Sequence, residues 1–216
     1  AIRQARLTTA TAPADRVGCV FGTSKGGLDS FQILQQLVRA AGQPETQSIG
    51  TVDPDRFPFW SSVPPSVVAS RLSADYGWQG PCLAPVAACA TGLVSLLRAA
   101  ALIRDGSCDL VVVGSSDASL QPALLASFRR LGVLAPIDAD PATACRPFDA
   151  RRQGFVAGEG AGALVLERWD HAVARGAPIL AEWIDGLQRA DPHGLTLLPN
   201  DPQALVRLLR DLMQRA

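Results

Sequence analysis

Lysine is almost absent from this sequence. Lys25 stands alone, and the only histidines in 216 residues are His171 and His193. Charge of neither sign dominates, with 20 Lys plus Arg against 20 Asp plus Glu. A chain without a basic stripe lacks the electrostatic footprint that holds a phosphate backbone, which argues against nucleic acid as a partner. No apolar run approaches the ~20 residues of a membrane span. The first residues carry Arg3 and Arg6 but no apolar stretch of a secretory signal. An initiating Met is missing too, which reads as a processed or excised piece. The five cysteines, Cys19, Cys82, Cys89, Cys108 and Cys145, are scattered without CxxC spacing. An odd, irregular set argues against a disulfide framework, and two histidines are too few to expect a Cys/His zinc site. Four of these cysteines read as small buried hydrophobes in a reducing cytoplasm.

What is present is apolar. Hydrophobic residues make up 48% and charged residues 19%, enough for one sizeable core with much buried surface. Residues 17–22 form a short apolar run closed by Gly22 and read as a buried strand. A Gly-rich turn follows over 23–27, in which Gly26 and Gly27 make a tight bend and Lys25 is expected to be exposed. Phe31, Leu34, Leu37 and Val38 recur at helical spacing over 31–41. Residues 43–65 carry the Pro, Ser, Thr and Asp of a surface loop. A helix is expected over 65–76, with Pro65 at its start and Gly77 just past its end. An extended run, 83–88, leads into Cys89. Residues 90–104 are good helix formers, apolar on most sides, as in a buried central helix. The run 109–114 (DLVVVG) reads as a strand covered on both faces. A helix over 124–131, strands over 160–167 and 179–185, and an amphipathic helix over 202–215 complete the pattern. In that last helix Leu205, Leu208, Leu209 and Leu212 share a face. Alternating elements of this kind predict an α/β fold with a mixed, mostly parallel sheet in one domain.

The chemistry is concentrated in Val86-Ala87-Ala88-Cys89-Ala90-Thr91-Gly92. A cysteine stands between a strand and the first turn of a helix. Unpaired N–H groups and the helix dipole favour negative charge there, and the thiolate is the nucleophilic form of cysteine. Small neighbours leave room for a substrate. On local pattern alone, an inert structural cysteine at a helix start is the commoner case.

Three ordered runs decide between these readings by resemblance. The segment around Cys89 resembles the nucleophile motif of β-ketoacyl synthases. The run Cys145-Arg146-Pro147-Phe148-Asp149, with Arg152-Gln153-Gly154-Phe155-Val156 and Gly158-Glu159-Gly160-Ala161-Gly162, is similar to a signature of condensing enzymes in fatty-acid and polyketide synthesis. His171-Ala172, Arg175-Gly176-Ala177 and Ala181-Glu182 match the segment that follows. Gly80-Pro81 and, loosely, the run 191–199 fit as well. The likeness extends from about residue 16 to 199. It favours elongating and polyketide-type synthases. Departures are mild: Gln153 where Asp is commoner, Asp117 where Glu is often seen, and Ala135 where Ser is usual.

The resemblance implies a thiolase-like fold, one half of an α-β-α-β-α sandwich, with 1–216 as an incomplete N-terminal domain. It implies an acyltransferase that forms a 3-oxoacyl thioester by decarboxylative Claisen condensation. Cys89 would accept the acyl chain, and its backbone amide would donate to the oxyanion. No cofactor is implied, because the substrates ride on the phosphopantetheine of an acyl carrier protein. A homodimer in the cytoplasm is expected, completed by a C-terminal half that supplies two histidines and a lysine. His171 falls at a surface helix with a structural or solvated role, and His193 lies in a loop where it is not a catalytic base. Arg146 and Asp149 read as an ion pair or loop clamp, Phe155 as a core residue beneath the site, and Glu159 as an acid that either tunes the site or accepts backbone hydrogen bonds. The alternative function is a non-catalytic module that binds acyl chains or carrier protein, or that dimerises, since the catalytic histidines are missing.

Overall fold

The computed structural model describes residues 1–28, 63–136, 140–192, 194 and 200–215. The expected helix over 31–41, most of the loop over 43–65, and His193 lie outside the described residues.

Strand β1, Val17–Thr23, is buried at all seven positions. It pairs in parallel with the two-residue β2, Cys82–Leu83, on one side. On the other it pairs in parallel with β3, Leu110–Ala118, from Val17 against Leu110 to Thr23 against Ser116. Strand β4, Glu159–Glu167, runs antiparallel to β3 and gives the order β2-β1-β3-β4. The sheet is therefore mixed and mostly parallel.

Burial on both faces follows from a helix on each. Helix α1, Val67–Tyr76, packs Ala69, Val68 and Leu72 on Cys19 and Phe21. Its end is set by Gly77, whose φ of 69° is the left-handed conformation that side chains resist. Helix α2, Thr91–Arg104, packs on the opposite face, where Val20, Val111 and Val113 meet Ala99, with Leu96 and Ile103 beside them. Val20, Val111, Val112 and Val113 are at most 2% exposed, and burial of each stabilises the fold by about 1.5–3 kcal/mol.

The start of β3 is tied to both its neighbours through Asp109. Arg16 donates to it through Nε and Nη2 at 3.0 and 2.9 Å, and Arg168 through Nη1 at 2.6 Å. The hydrogen bond from Arg16 outweighs burial and holds the Asp109 carboxyl below its usual range.

The remaining α-helices among the described residues are α3, Pro122–Arg130; α4, Pro141–Ala144; α5, Trp169–Ala174; and α6, Gln203–Arg215. Among the described residues, no helix is long and apolar enough to cross a membrane.

Several expectations are corrected. The apolar run 179–185 forms no strand and has no ladder partner among the described residues. It lies against α2 instead, where Arg104 pairs with Asp185 at 3.3 Å. A strand exists only through pairing, and apolar spacing alone does not supply a neighbour. Helix α2 buries one stripe, Thr91, Ser95 and Ala99, while Leu93 on another side is 66% exposed within this chain. Helix α6 buries no residue, although its amphipathic pattern is present. Cys19 and Cys108 are buried as expected, but Cys82 and Cys145 are exposed, one on the short edge strand β2 and the other just past α4.

Candidate active site

The carboxyl ends of parallel strands are where open α/β sheets place ligands. Here β1 ends at Thr23 and Ser24, and β3 ends in Ser115, Ser116 and Asp117. Because β4 is antiparallel, its first residues, Gly160, Ala161 and Gly162, pair with Asp117, Ser116 and Ser115 at that same end. All of these but Thr23 line a pocket of about 290 Å³ together with Ala88, Cys89, Thr91 and Gly92.

Cys89 reaches the pocket by a sharp turn. Ala88 has a φ of +47°, a left-handed conformation that costs a non-glycine residue roughly 1–3 kcal/mol. A short 3-10 turn, Ala88–Ala90, then leads into α2. Thr91, itself buried, holds this turn from inside. Its Oγ1 accepts from the Ala87 amide at 3.0 Å and donates to the Ala88 carbonyl at 2.7 Å. Ser95 Oγ in turn donates to the Thr91 carbonyl at 2.9 Å.

The turn also needs a glycine beneath it. A Cβ on Gly22 of β1 would stand 2.4 Å from Thr91 Cγ2, 2.6 Å from the Pro85 carbonyl oxygen and 2.8 Å from Ser95 Oγ. The carbonyl is main chain and has nowhere to go. Gly22→Ala is expected to cost about 3 kcal/mol in a denaturant melt and to slow thiol labelling of Cys89, because the strand is forced away from the turn it supports.

The cysteines divide by environment. Burial, helped by neighbouring Cys82, pushes the Cys19 thiol up to about 12, and burial likewise raises Cys108. Both are thus structural. Of the three exposed cysteines, Cys89 is the one that lines the pocket. Cys89 is exposed rather than buried at the helix start.

Other sequence candidates find plainer roles. Glu159 Oε1 accepts from the Leu120 amide at 3.0 Å, a loop-holding contact. Arg146 donates to the Thr143 carbonyl at 2.7 Å, and Asp149 accepts from the Arg151 amide at 2.7 Å. Arg146 and Asp149 are thus two loop clamps rather than an ion pair. Phe155 is 43% exposed and meets Phe128 edge-on at 5.5 Å, so it is not a core residue. Its main chain bridges to Leu134. His171 on α5 gives Nδ1 to Glu167 at 2.5 Å and is structural. Lys25 is not a free surface lysine: it pairs with Asp117 at 3.0 Å.

Sequence reading missed Thr91 as the clamp and Ser24, Ser116 and Asp117 as pocket lining. One signal was available. The run VVVGSSD changes from apolar to polar at the end of a buried strand, where a sheet opens to solvent.

Comparison with known proteins converges on one family. The model of the β-ketoacyl synthase N-terminal domain matches residues 1–172. A chloroplastic 3-oxoacyl-[acyl-carrier-protein] synthase I of Hordeum vulgare is 36% identical over 88% of the chain, which spans 38% of that relative. A putative polyketide beta-ketoacyl synthase 1 of Streptomyces halstedii is 32% identical over the whole chain, which spans 50% of it. The chain thus spans half or less of these relatives. Among solved structures, a type II polyketide ketosynthase bound to the hexaketide and in complex with its acyl-carrier protein superposes over the whole chain and 52% of its own, with a TM-score of 0.83 and 30% identity. The ishigamide ketosynthase/chain length factor covers 86% of the chain and 42% of its own, with a TM-score of 0.71 and 30% identity. These neighbours fix the fold as thiolase-like. On the strength of its family match and its relatives, the chain belongs to the β-ketoacyl synthase family.

Proposed function

We propose that Cys89 is the acyl-accepting nucleophile of a β-ketoacyl-[acyl-carrier-protein] synthase acting in fatty-acid or polyketide synthesis. The observation that carries this is the exposed Cys89 on a strained turn at the head of α2, opening into a pocket at the carboxyl ends of β1 and β3.

In the first half-reaction the thiolate attacks the carbonyl carbon of an acyl thioester. The Cys89 amide donates to the developing oxyanion. The carbon–sulfur bond to the carrier's phosphopantetheine breaks, its thiolate leaves, and the acyl group remains on Cys89. In the second, a malonyl thioester loses carbon dioxide, and its enolate carbon attacks the acyl–Cys89 carbonyl. A carbon–carbon bond forms, the bond to Cys89 breaks, and the thiolate returns. No step calls for a metal or organic cofactor.

On this reading the carrier is an acyl carrier protein, residues 1–216 act as one N-terminal unit, and the protein works as a homodimer. A C-terminal half supplies two histidines and a lysine for decarboxylation and enolate stabilisation. The exposed apolar side chains of α2 and of the segment after α5, such as Leu93 and Ile184, agree with a surface that such a half would cover.

Intact mass spectrometry after incubation with an acyl-carrier thioester tests the proposal. One acyl adduct on the native chain and none on Cys89→Ala is expected. Absence of an adduct on folded protein, both alone and with the second half added, would overturn the nucleophile assignment in favour of a binding module.

A further inference from the structure

The sole lysine sits beside the Cys89 pocket in a built cluster. Its Nζ donates to Asp117 Oδ2 and to Ser119 Oγ, each at 3.0 Å, and to Ser24 Oγ at 2.7 Å. Ser24 Oγ in turn donates to the same Asp117 oxygen. From the other side the Phe128 ring lies with its centroid 6.0 Å from Nζ, at the outer limit of a cation–π contact. Asp117 is the one charged side chain among the described residues that line the pocket. Left alone, its carboxylate would oppose a thiolate and any anionic substrate in the same space.

Stability does not explain the cluster. The two side chains are 29% and 36% exposed, and an ion pair of that kind contributes little to folding. Its effect falls on the charge at the pocket, where opposite charges 3.0 Å apart cancel at short range.

We propose that Lys25 neutralises Asp117 so that the Cys89 pocket admits carboxylate-bearing substrates. Lys25 is thus a positioning residue that acts through Asp117. The inference deepens the proposed function, since a malonyl thioester carries a carboxylate to the acylated cysteine. It identifies the chemical class admitted: thioesters with a free anionic group, beside neutral ones.

Paired alkylation reads this charge directly. Iodoacetate and iodoacetamide differ by one negative charge and attack the same sulfur. Their rates at Cys89 are measured by peptide-resolved mass spectrometry, with exposed Cys82 and Cys145 as internal controls. Lys25→Met is expected to lower the iodoacetate-to-iodoacetamide ratio at Cys89 about three- to tenfold, with the ratios at Cys82 and Cys145 unchanged. Adding Asp117→Asn restores the ratio to within about twofold, Lys25→Arg keeps it, and Asp117→Asn alone raises it. A lost fold would change all three cysteines together, so a shift confined to Cys89 is not a folding effect.

Should Lys25→Met not fold, Asp117→Asn carries the test: an unchanged Cys89 ratio there overturns the proposal. It is overturned equally by a Lys25→Met ratio at the wild-type value, or by a native Cys89 that reacts with neither reagent. Failure of acyl transfer with the alkylation pattern intact would instead count against the proposed enzyme function and leave the role of Lys25 standing.

Discussion

Thr91→Val lowers the reactivity of Cys89 about a hundredfold, while Thr91→Ser stays within a few-fold of native. Valine keeps the shape of threonine and therefore the methyl packed over Gly22. What it loses is the hydroxyl that joins the Ala87 amide to the Ala88 carbonyl. The Ala87 amide then lacks its partner, at a cost of about 1–3 kcal/mol if water does not replace it, and the Ala88 carbonyl is left with the Thr91 amide alone. Ala88 is held at a φ of +47° against its own preference. Without the clamp it relaxes toward negative φ, and the turn carries the Cys89 sulfur with it. A displacement of about 1 Å at a reacting atom suffices for a loss of that size. Second-order rates of iodoacetamide labelling at Cys89, followed with native, Val and Ser variants, check this. Equal rates for valine and threonine would show that the turn is held by packing rather than by the hydroxyl.

Glu167→Gln costs about 3 kcal/mol and lowers the melting temperature by roughly 6–12 °C. Glu167, at the end of β4, has a side chain only 8% exposed and accepts Arg175 Nε and Nη2, each at 2.6 Å. His171 Nδ1 lies 2.5 Å from Oε1, and Arg175 reaches on to the Ala5 carbonyl at 3.1 Å. One carboxylate thus joins β4, α5 and the N-terminal segment. Glutamine keeps the shape but leaves the largely buried guanidinium without its counter-charge. The same group sets an acid limit. Burial pushes the Glu167 carboxyl up, but the hydrogen bonds and charges of Arg175 and His171 outweigh it and hold it below the ordinary value of 4.5. A carboxyl whose folded value lies lower stabilises the fold above its unfolded value, and that stability is lost as pH falls through the folded one. Thermal melts are therefore expected to lose the gap between native and Glu167→Gln as pH drops below about 4.5. A gap that persists at low pH would assign the effect to packing.

Much of the architecture was legible because short-range signals carried it. The apolar runs 17–22 and 109–114 are buried strands, Gly77 ends α1, and the small residues around Cys89 mark a tight turn before a helix. The expected strand over 179–185 failed for a physical reason: its residues have the right apolar content, but pairing is a property of two segments, and a single run records only one. Helix α2 reads as apolar nearly all round, yet one stripe is buried here. Composition reports what a helix seeks to bury, and the neighbours present decide how much of it is covered. Lys25 was read as a surface residue because Asp117, its partner, lies 92 positions away. No local pattern couples them. The Thr91 clamp was hidden differently, since a threonine beside a helix start has many uses, and only the backbone turn reveals which one applies.

The register of the central strands has a consequence during synthesis. The β1 segment is buried along its whole length, yet the long partner that completes it is β3; Arg16 and Asp109, which close this junction, are 93 residues apart. A ribosome adding about 5–20 residues per second needs several seconds to supply that partner. Throughout that interval a sticky β-forming stretch has been made but has only two residues of β2 to pair with. Chaperone capture of the nascent chain should therefore begin once β1 emerges and fall away when β3 does, and slow translation between them should raise the aggregated fraction.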